Sequence, residues 1–185
     1  MKRKQIWIVS LLTLGLALTA AAVFWLLPAQ ERQQAQQRAA QTDARTHDFA
    51  AVRTYASPYV GNNSNTVNLF YHLPLSDVPA RFEIGDDASL CVRYQAALAE
   101  LDADKVRRDL VYDSAAAFAL IDNLSAVCYE FSDGSYAFTR TQMEAALGAP
   151  LSELRGGTAM HDRVQARLGD AEFLAACCAQ PDPDS

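Results

Sequence analysis

Four cysteines are the residues of this 185-residue chain whose chemistry depends most on their neighbours in the fold: Cys91, Cys128, Cys177 and Cys178. Cys91 and Cys128 alternate with apolar side chains in two strand-like segments, so both should project from the polar face of a sheet. If these strands are neighbours, the two thiols can form a disulfide outside the cytoplasm. A ring between the adjacent Cys177 and Cys178 would be strained. We expect one of them to pack in the core and the other to stay free or to join another chain.

Sequence patterns typical of metal sites and enzymes do not occur. The three histidines, His47, His72 and His161, are scattered, and there is neither a CxxC nor an HxxxH pair to hold a metal ion. There is also no GxSxG elbow, no Walker loop and no GxGxxG after a strand. The sequence therefore predicts no metal, no cofactor and no catalytic residue.

Four polar residues are candidates for ligand binding: Asn62, Asn63, Asp122 and Arg140. The two asparagines belong to the string YVGNNSNTVNLF, whose side chains can bind a glycan or a peptide backbone. Alternatively, Asn63 or Ser64 can cap a short helix that follows. Asp122 can bind a ligand or make a buried hydrogen bond at a helix end. Arg140 can serve a binding site or lie on the hairpin surface near a strand end.

Two β-hairpins are predicted from alternating apolar side chains interrupted by turn residues. Their strands cover residues 80–85 with 89–95, and residues 124–132 with 135–141. The second hairpin turns at Asp133-Gly134, a dipeptide typical of a two-residue type I′ turn. Counting outward from that turn pairs Tyr129 with Phe138, which gives the sheet an aromatic face able to lie on a helix.

Helices are predicted around these hairpins. The strongest runs from about Asp104 to Asn123, with Asp102 or Asp104 as its N-cap, and its Asp109 and Asp113 are expected to face water. Shorter helices are expected near residues 49–56 and 65–72, from Thr141 as a cap to Gly148, and over 161–178. The predicted fold class is α+β: a small antiparallel sheet of two hairpins packed on a central helix with short flanking helices. An N-terminal transmembrane helix and a helical stalk precede it.

Residues 6–27 form an uncharged apolar run, IWIVSLLTLGLALTAAAVFWLL, after three basic residues. As a helix this run spans ~30 Å, the thickness of the hydrocarbon core of a bilayer. The basic residues should stay in the cytoplasm, which places the rest of the chain outside. Ala20 to Ala22 could be cleaved as in a secretory signal, but the apolar run continues past them, which favours a retained signal anchor.

The remaining sequence divides by composition. Residues 30–41 are rich in Gln, Ala and Arg, with almost nothing to bury, and indicate a polar helical spacer. The predicted boundaries are a cytoplasmic tail (1–5), a transmembrane anchor (6–27), a polar stalk (28–47), an extracytoplasmic α+β domain (48–157) and a C-terminal helix with an acidic tail (158–185). After the N-terminal tail the chain has 13 basic and 22 acidic residues, and this negative balance disfavours nucleic acid and anionic lipid as partners.

Four segments, in order, resemble the bacterial family catalogued as domain of unknown function 4825. They are YVGNNS from Tyr59, LPL from Leu73, FALIDN from Phe118 and YAFTR from Tyr136. The resemblance covers about Asp48 to Gly157. It implies an extracytoplasmic α+β domain behind one membrane helix, mostly in Gram-positive bacteria and sometimes attached to signalling or sensor proteins. The family provides no catalytic residues to carry over, and the four cysteines depart from its usual pattern.

Three kinds of function remain open. The sequence favours a non-enzymatic binding or sensory module at the cell envelope, in the cell membrane through its N-terminal helix, with an unknown protein, peptide or envelope component as ligand. The alternatives are a small envelope hydrolase with a site from dispersed residues, or a structural subunit of a membrane complex. A concave pocket gathering Arg140, Asp122 and a nucleophile would favour the hydrolase.

Overall fold

The computed structural model describes residues 30–178 continuously, together with Trp7, Leu11, residues 13–15 and Thr19. The predicted cytoplasmic tail (1–5), most of the predicted transmembrane segment (6–27) and the end of the acidic tail lie outside the described residues. In the part of the chain that is described, no helix has the length and apolar character needed to cross a membrane. By its internal contacts the chain divides into two units, Met1–Ala39 and Ala40–Ser185. Helix α1 covers residues 30–41.

A four-stranded sheet forms one layer of the domain, with the strands in the order β1-β2-β3-β4. The strands are β1 (Ala80–Ile84), β2 (Ser89–Tyr94), β3 (Ala126–Phe131) and β4 (Gly134–Thr139). Both predicted hairpins are confirmed, since β1 pairs antiparallel with β2 and β3 with β4. The two hairpins, however, are joined by a parallel pairing of β2 with β3. The prediction of an antiparallel sheet is therefore wrong at the centre of the sheet.

The central helix α4 (Ala103–Leu120) explains the parallel pairing. It lies between β2 and β3 in the chain and carries the polypeptide back to the end of the sheet where β2 began, as a parallel crossover requires. Its predicted N-cap is confirmed, because the Asp102 carboxylate accepts a hydrogen bond from the Lys105 amide at 2.9 Å. The helix ends at Leu120, and Asn123 does not adopt the left-handed conformation predicted for it.

The core surrounds α4 on nearly all sides. The inner face of the sheet supplies Leu90, Val92, Val127, Tyr129 and Phe138, each at most 1% exposed. Short helices and 3₁₀ turns contact α4 elsewhere, among them those at Pro74–Asp77 and Leu151–Arg155. Asp109 and Asp113 of α4 are 0% and 1% exposed, so the prediction that they face water is wrong. From Asp109 to Leu120 every residue of α4 is buried, so this part of the helix has no polar face.

The remaining helices flank this centre: α2 (Phe49–Val52), α3 (Asn63–Phe70), α5 (Arg140–Leu147), α6 (Ala159–Arg163) and α7 (Ala171–Cys178). The predicted helix over 161–178 is therefore interrupted. The Asp170 carboxylate accepts hydrogen bonds from the Glu172 and Phe173 amides, which starts a new helix there. Helix α5 is capped by Thr139 instead of Thr141, and it ends as predicted at Gly148 in a left-handed conformation.

The β3–β4 hairpin has a different register from the predicted one. Phe131 lies opposite Gly134 and Tyr129 opposite Tyr136, so the loop is Ser132-Asp133. Among the described residues other than glycine, positive φ occurs at Ala88 alone, and Gly134 does not adopt it either. A type I′ turn needs positive φ at both central residues, so this turn is of another kind.

Contacts with a neighbouring 3₁₀ turn (Leu98–Glu100) account for the shifted register. The Asp133 carboxylate accepts hydrogen bonds from the Leu98 and Ala99 amides at 2.6 and 3.1 Å. A Cβ on Gly134 would lie 2.9 Å from the Leu98 Cδ1 atom, so this glycine makes room for Leu98. The Asp-Gly pair therefore serves a tertiary contact that a local pattern cannot reveal.

Candidate binding groove

An open groove of about 480 Å³ lies between the start of α3 and the edge strand β1. Its α3 side is formed by Val60, Gly61, Asn63 and Val67, and its sheet side by Phe82, Ile84, Gly85, Asp86 and Ala88, with Asn123 completing the lining. The lining combines apolar side chains, an amide and one exposed carboxylate, Asp86. This composition suits a ligand with apolar side chains and hydrogen-bonding groups better than a purely apolar one.

Three side chains hold the loop that forms the α3 side. Asn123 Oδ1 accepts a hydrogen bond from the Val60 amide at 2.7 Å, and Thr66 Oγ1 donates to the Val60 carbonyl at 2.8 Å. Asn65 Nδ2 donates to the Tyr55 carbonyl at 2.5 Å. Val60 itself is buried. The conformation of this side of the groove is therefore fixed before any ligand arrives.

Asn62 and Asn63, the candidates from the sequence, are not used in the same way. Asn62 is the N-cap of α3, but its side chain makes no capping hydrogen bond, and both side chains are exposed. The predicted caps Asn63 and Ser64 lie inside the first turn of the helix, so that prediction is wrong. The Asn63 amide lies at the groove and is available to a ligand.

Strand β1 has one free backbone edge beside this groove. Its ladder bonds to β2 fall at odd-numbered residues, as the bonds at Pro79 and Gly85 show. Because antiparallel strands alternate, the N–H and C=O groups of Phe82 and Ile84 point away from β2. Within residues 30–178, no backbone hydrogen bond outside the sheet uses these groups. The opposite edge, β4, has α5 and α7 packed beside it.

Arg140 and Asp122 are not among the residues that line the groove. Arg140 donates to the Leu124 carbonyl at 3.0 Å and to the Ile121 carbonyl at 2.7 Å, and its guanidinium lies over the Phe118 ring. Asp122 pairs with Arg155. Both candidates therefore have contacts that hold the chain beyond the end of α4, and the structure does not bring them together with a nucleophile in a pocket.

The outer face of the sheet carries a second polar group. Cys91 on β2 and Cys128 on β3 are direct register partners, with Glu130 two residues further along β3 on the same face. Their two sulfur atoms and one Glu130 carboxylate oxygen all lie within 4.8 Å of one another. Both cysteines are half-buried, and burial raises the pKa of the Cys91 thiol to about 12. The thiols are free in this structure, and the disulfide stays a prediction.

Sequence reasoning missed Glu130 as a member of this group. Its only local signal is the Cys128-x-Glu130 spacing, which puts both side chains on one face of a strand. Cys177 and Cys178 lie elsewhere, in α7. Cys177 is buried, which raises the pKa of its thiol to about 12, and Cys178 is half-buried.

A third polar group lies inside the core along α4. Asp109 accepts hydrogen bonds from the Ala44 amide at 3.0 Å and from Lys105 Nζ at 2.6 Å. Burial raises the pKa of Asp109 and, more strongly, that of Asp113. The Tyr112 hydroxyl lies 2.8 Å from His47 Nδ1.

The tautomer of His47 follows from its two contacts. His47 Nε2 lies 2.7 Å from the His72 carbonyl, which can only accept, so Nε2 carries the proton. In the neutral ring Nδ1 is then an acceptor, and Tyr112 donates to it. Burial lowers the pKa of His47, which favours this neutral form.

Part of the chain matches a known protein family. Residues 52–141 match the model of a family described as Domain of unknown function (DUF4825). No curated protein and no solved structure matches the chain. The matched range contains the whole groove, all four strands and the Cys91–Cys128 pair. Residues 52–141 of this chain belong to the DUF4825 family.

Proposed function

We propose that this protein is a single-pass, membrane-tethered extracytoplasmic binding module that holds an extended peptide in the groove beside β1. The observation that carries the proposal is the free backbone edge of β1 at Phe82 and Ile84, which faces no other strand. An extended peptide can pair with such an edge, and pockets for its alternate side chains then select its sequence.

The groove supports a peptide of particular chemistry. Phe82 and Ile84 offer apolar surface to alternate side chains of an added strand. Asp86 at one end favours a Lys or Arg in the peptide, and the Asn63 amide can bond its backbone. Acidic residues outnumber basic residues in the chain after the N-terminal tail, which also favours a basic peptide.

A binding role has more support than the hydrolase alternative. Arg140 and Asp122 are occupied by contacts at the end of α4. The groove lining contains no Ser, Cys or His beside its carboxylate. A structural subunit of a membrane complex would also need a docking surface, and the β1 edge would then serve a partner protein instead of a free peptide.

A peptide library tests the binding proposal. The full chain in detergent is used to select from a phage-displayed library of linear peptides, and we expect sequences that alternate apolar residues and carry a Lys or Arg. The N–H of Ile84 points away from β2 and makes no hydrogen bond to it. Ile84→Pro removes this N–H, a change that edge strands tolerate, and should abolish peptide binding. Asn63→Ala should weaken it.

The matched control is Ala137→Pro, which removes an outward N–H from β4 at the opposite edge. Selected peptides should bind this variant as they bind the parent chain. Selection of no peptide, or equal loss of binding in Ala137→Pro and Ile84→Pro variants that remain folded, contradicts pairing at β1.

The proposed membrane anchor is supported by the apolar run of residues 6–27 and by the basic residues that precede it. Protease treatment of intact cells tests it, because an extracytoplasmic domain should be digested without lysis. Survival of residues 48–185 on intact cells, followed by digestion after lysis, would place the domain on the wrong side of the membrane for this proposal.

A further inference from the structure

The parallel seam of the sheet places three potential metal ligands side by side. Parallel strands are usually covered on both faces, but here the outer face of β2 and β3 carries the exposed Arg93 and the half-buried Cys91, Cys128 and Glu130. Cys91 and Cys128 are register partners, so their side chains leave the sheet at the same level. The strands, which are rigid elements, hold these side chains together.

We propose that Cys91, Cys128 and Glu130 form a binding site for a divalent transition-metal ion of the zinc class, with a water molecule as the fourth ligand. Two thiolates and a carboxylate are a donor set that zinc accepts, and three protein ligands with one open position are a common zinc arrangement. This proposal goes beyond peptide binding and does not depend on it.

The ligand atoms are already close to the spacing that a tetrahedral ion requires. With zinc–sulfur bonds of ~2.3 Å, the two sulfur atoms of such a site lie about 3.8 Å apart. The carboxylate oxygen lies slightly closer than this to each sulfur atom. The three atoms here lie within 4.8 Å of one another. Small rotations of the side chains can therefore close the site without moving the strands.

Arg93 supports the site as a positioning residue. Its Nε atom donates to Glu130 Oε2 at 2.7 Å, which orients the carboxylate and leaves the other oxygen for the metal. Its Nη1 atom pairs with Glu83 at 2.6 Å. A zinc ion with two thiolates and one carboxylate carries a net charge of −1, and the Arg93 guanidinium offsets it. Hydrogen-bonded ligands of this kind are typical of metal sites.

Binding releases protons from the thiols. Zinc displaces one proton from each cysteine sulfur, and no electrons are transferred. Because both thiols must lose a proton before they bind the metal, metal affinity should increase as the pH rises over the neutral range. A disulfide between the same two cysteines would exclude the metal, so the two states are alternatives that experiment can separate. Glu130 has a role in the metal site and none in a disulfide.

The test is a metal titration of the full chain in detergent, reduced and stripped of metal, with Zn²⁺ and Co²⁺ as probes. We expect one equivalent to bind, and Co²⁺ to give a sulfur-to-metal charge-transfer absorption. Cys91→Ser and Cys128→Ser should each weaken binding more than about 100-fold, since residues that only support ligands already account for 10–100-fold. Glu130→Gln should weaken it by at least about tenfold.

Two variants are matched controls. Glu83 lies beside Cys91 and also pairs with Arg93, but its carboxylate is not one of the three clustered ligands. Glu83→Gln should therefore bind zinc as the parent does, and so should Cys178→Ser. The proposal is overturned if Cys91→Ser binds zinc normally or if Glu130→Gln behaves like Glu83→Gln. Thiol trapping in intact cells that finds Cys91 and Cys128 joined as a disulfide also overturns it.

Discussion

The two polar groups on either side of the sheet are built in opposite ways. In the core, Asp109 and Asp113 of α4 are at most 1% exposed, and Asp109 is held by a backbone amide and a lysine. On the outer face, the side chains of Arg93, Glu83 and Glu130 are 52%, 61% and 42% exposed, and Arg93 forms an ion pair with each of the two glutamates. One group is enclosed by the fold, and the other is displayed by it.

This difference separates the residues that specify the fold from those available for chemistry. A buried polar group that loses its partner pays the full desolvation cost, whereas exposed ion pairs contribute little because water competes for both partners. We therefore expect core substitutions to change stability and outer-face substitutions to change binding.

Asp109→Ala should have the largest effect on stability. It leaves the buried Ala44 amide without an acceptor and removes the partner of Lys105, so we expect a loss of about 2–4 kcal/mol in the free energy of unfolding. Urea denaturation of the full chain in detergent measures this. Asp122→Ala is the control, because that carboxylate is 54% exposed, and it should cost less than about 1 kcal/mol. Equal losses would contradict the division.

Asp113→Asn should alter how stability depends on pH. Burial raises the pKa of Asp113 well above 3.8, so the folded state keeps its proton at pH values where the unfolded state loses it. The contribution of Asp113 to stability therefore falls as the pH rises above about 4. Asparagine has no such proton to lose, so the variant should become increasingly more stable than the parent at higher pH. Urea midpoints measured from pH 4 to 8 should diverge, and parallel curves would show that Asp113 does not titrate as proposed.

Tyr112→Phe should cost about 1–2 kcal/mol, because the His47 Nδ1 acceptor then lacks its donor in a dry environment. The remaining ring keeps its packing in the core. Tyr59→Phe is the matched control, since Tyr59 is 67% exposed and should change stability by less than about 0.5 kcal/mol. If both variants match the parent, the Tyr112 hydroxyl does not stabilise the folded state through His47.

Local signals in the sequence were enough to identify the elements. The alternation around Gly85 predicted the first hairpin, the Asp102 cap predicted the start of α4, and Gly148 predicted the end of α5. Each of these depends on residues within a few positions of one another. The α+β class followed from them.

The rest depends on contacts between distant residues. Asp133-Gly134 has the composition of a type I′ turn, but Asp133 bonds the amides of Leu98 and Ala99, and the hairpin shifts its register. The parallel pairing of β2 with β3 brings Cys91 to Cys128 and Glu130. The sequence predicts that the two cysteines lie on a polar strand face, but it does not indicate which strands are neighbours. The helical pattern predicts that Asp109 faces water, because this pattern does not reveal how many sides of α4 are covered.

Arg93→Gln should have the smallest effect on stability and gives the sharpest test of the comparison. It breaks two ion pairs of 2.6 and 2.7 Å, to Glu83 and Glu130, yet should cost less than about 1 kcal/mol, because each of the three side chains is at least 42% exposed. Any difference should shrink further in high salt, which screens such pairs.

The same variant should change zinc affinity if Arg93 positions a metal ligand. We expect Arg93→Gln to weaken zinc binding by about tenfold, since outer partners of metal ligands typically contribute this much. Unchanged stability with weakened zinc binding would mean that these polar residues serve a ligand and not the fold. A stability loss as large as that of Asp109→Ala would instead make the outer face structural, and the contrast between the two sides of the sheet would fail.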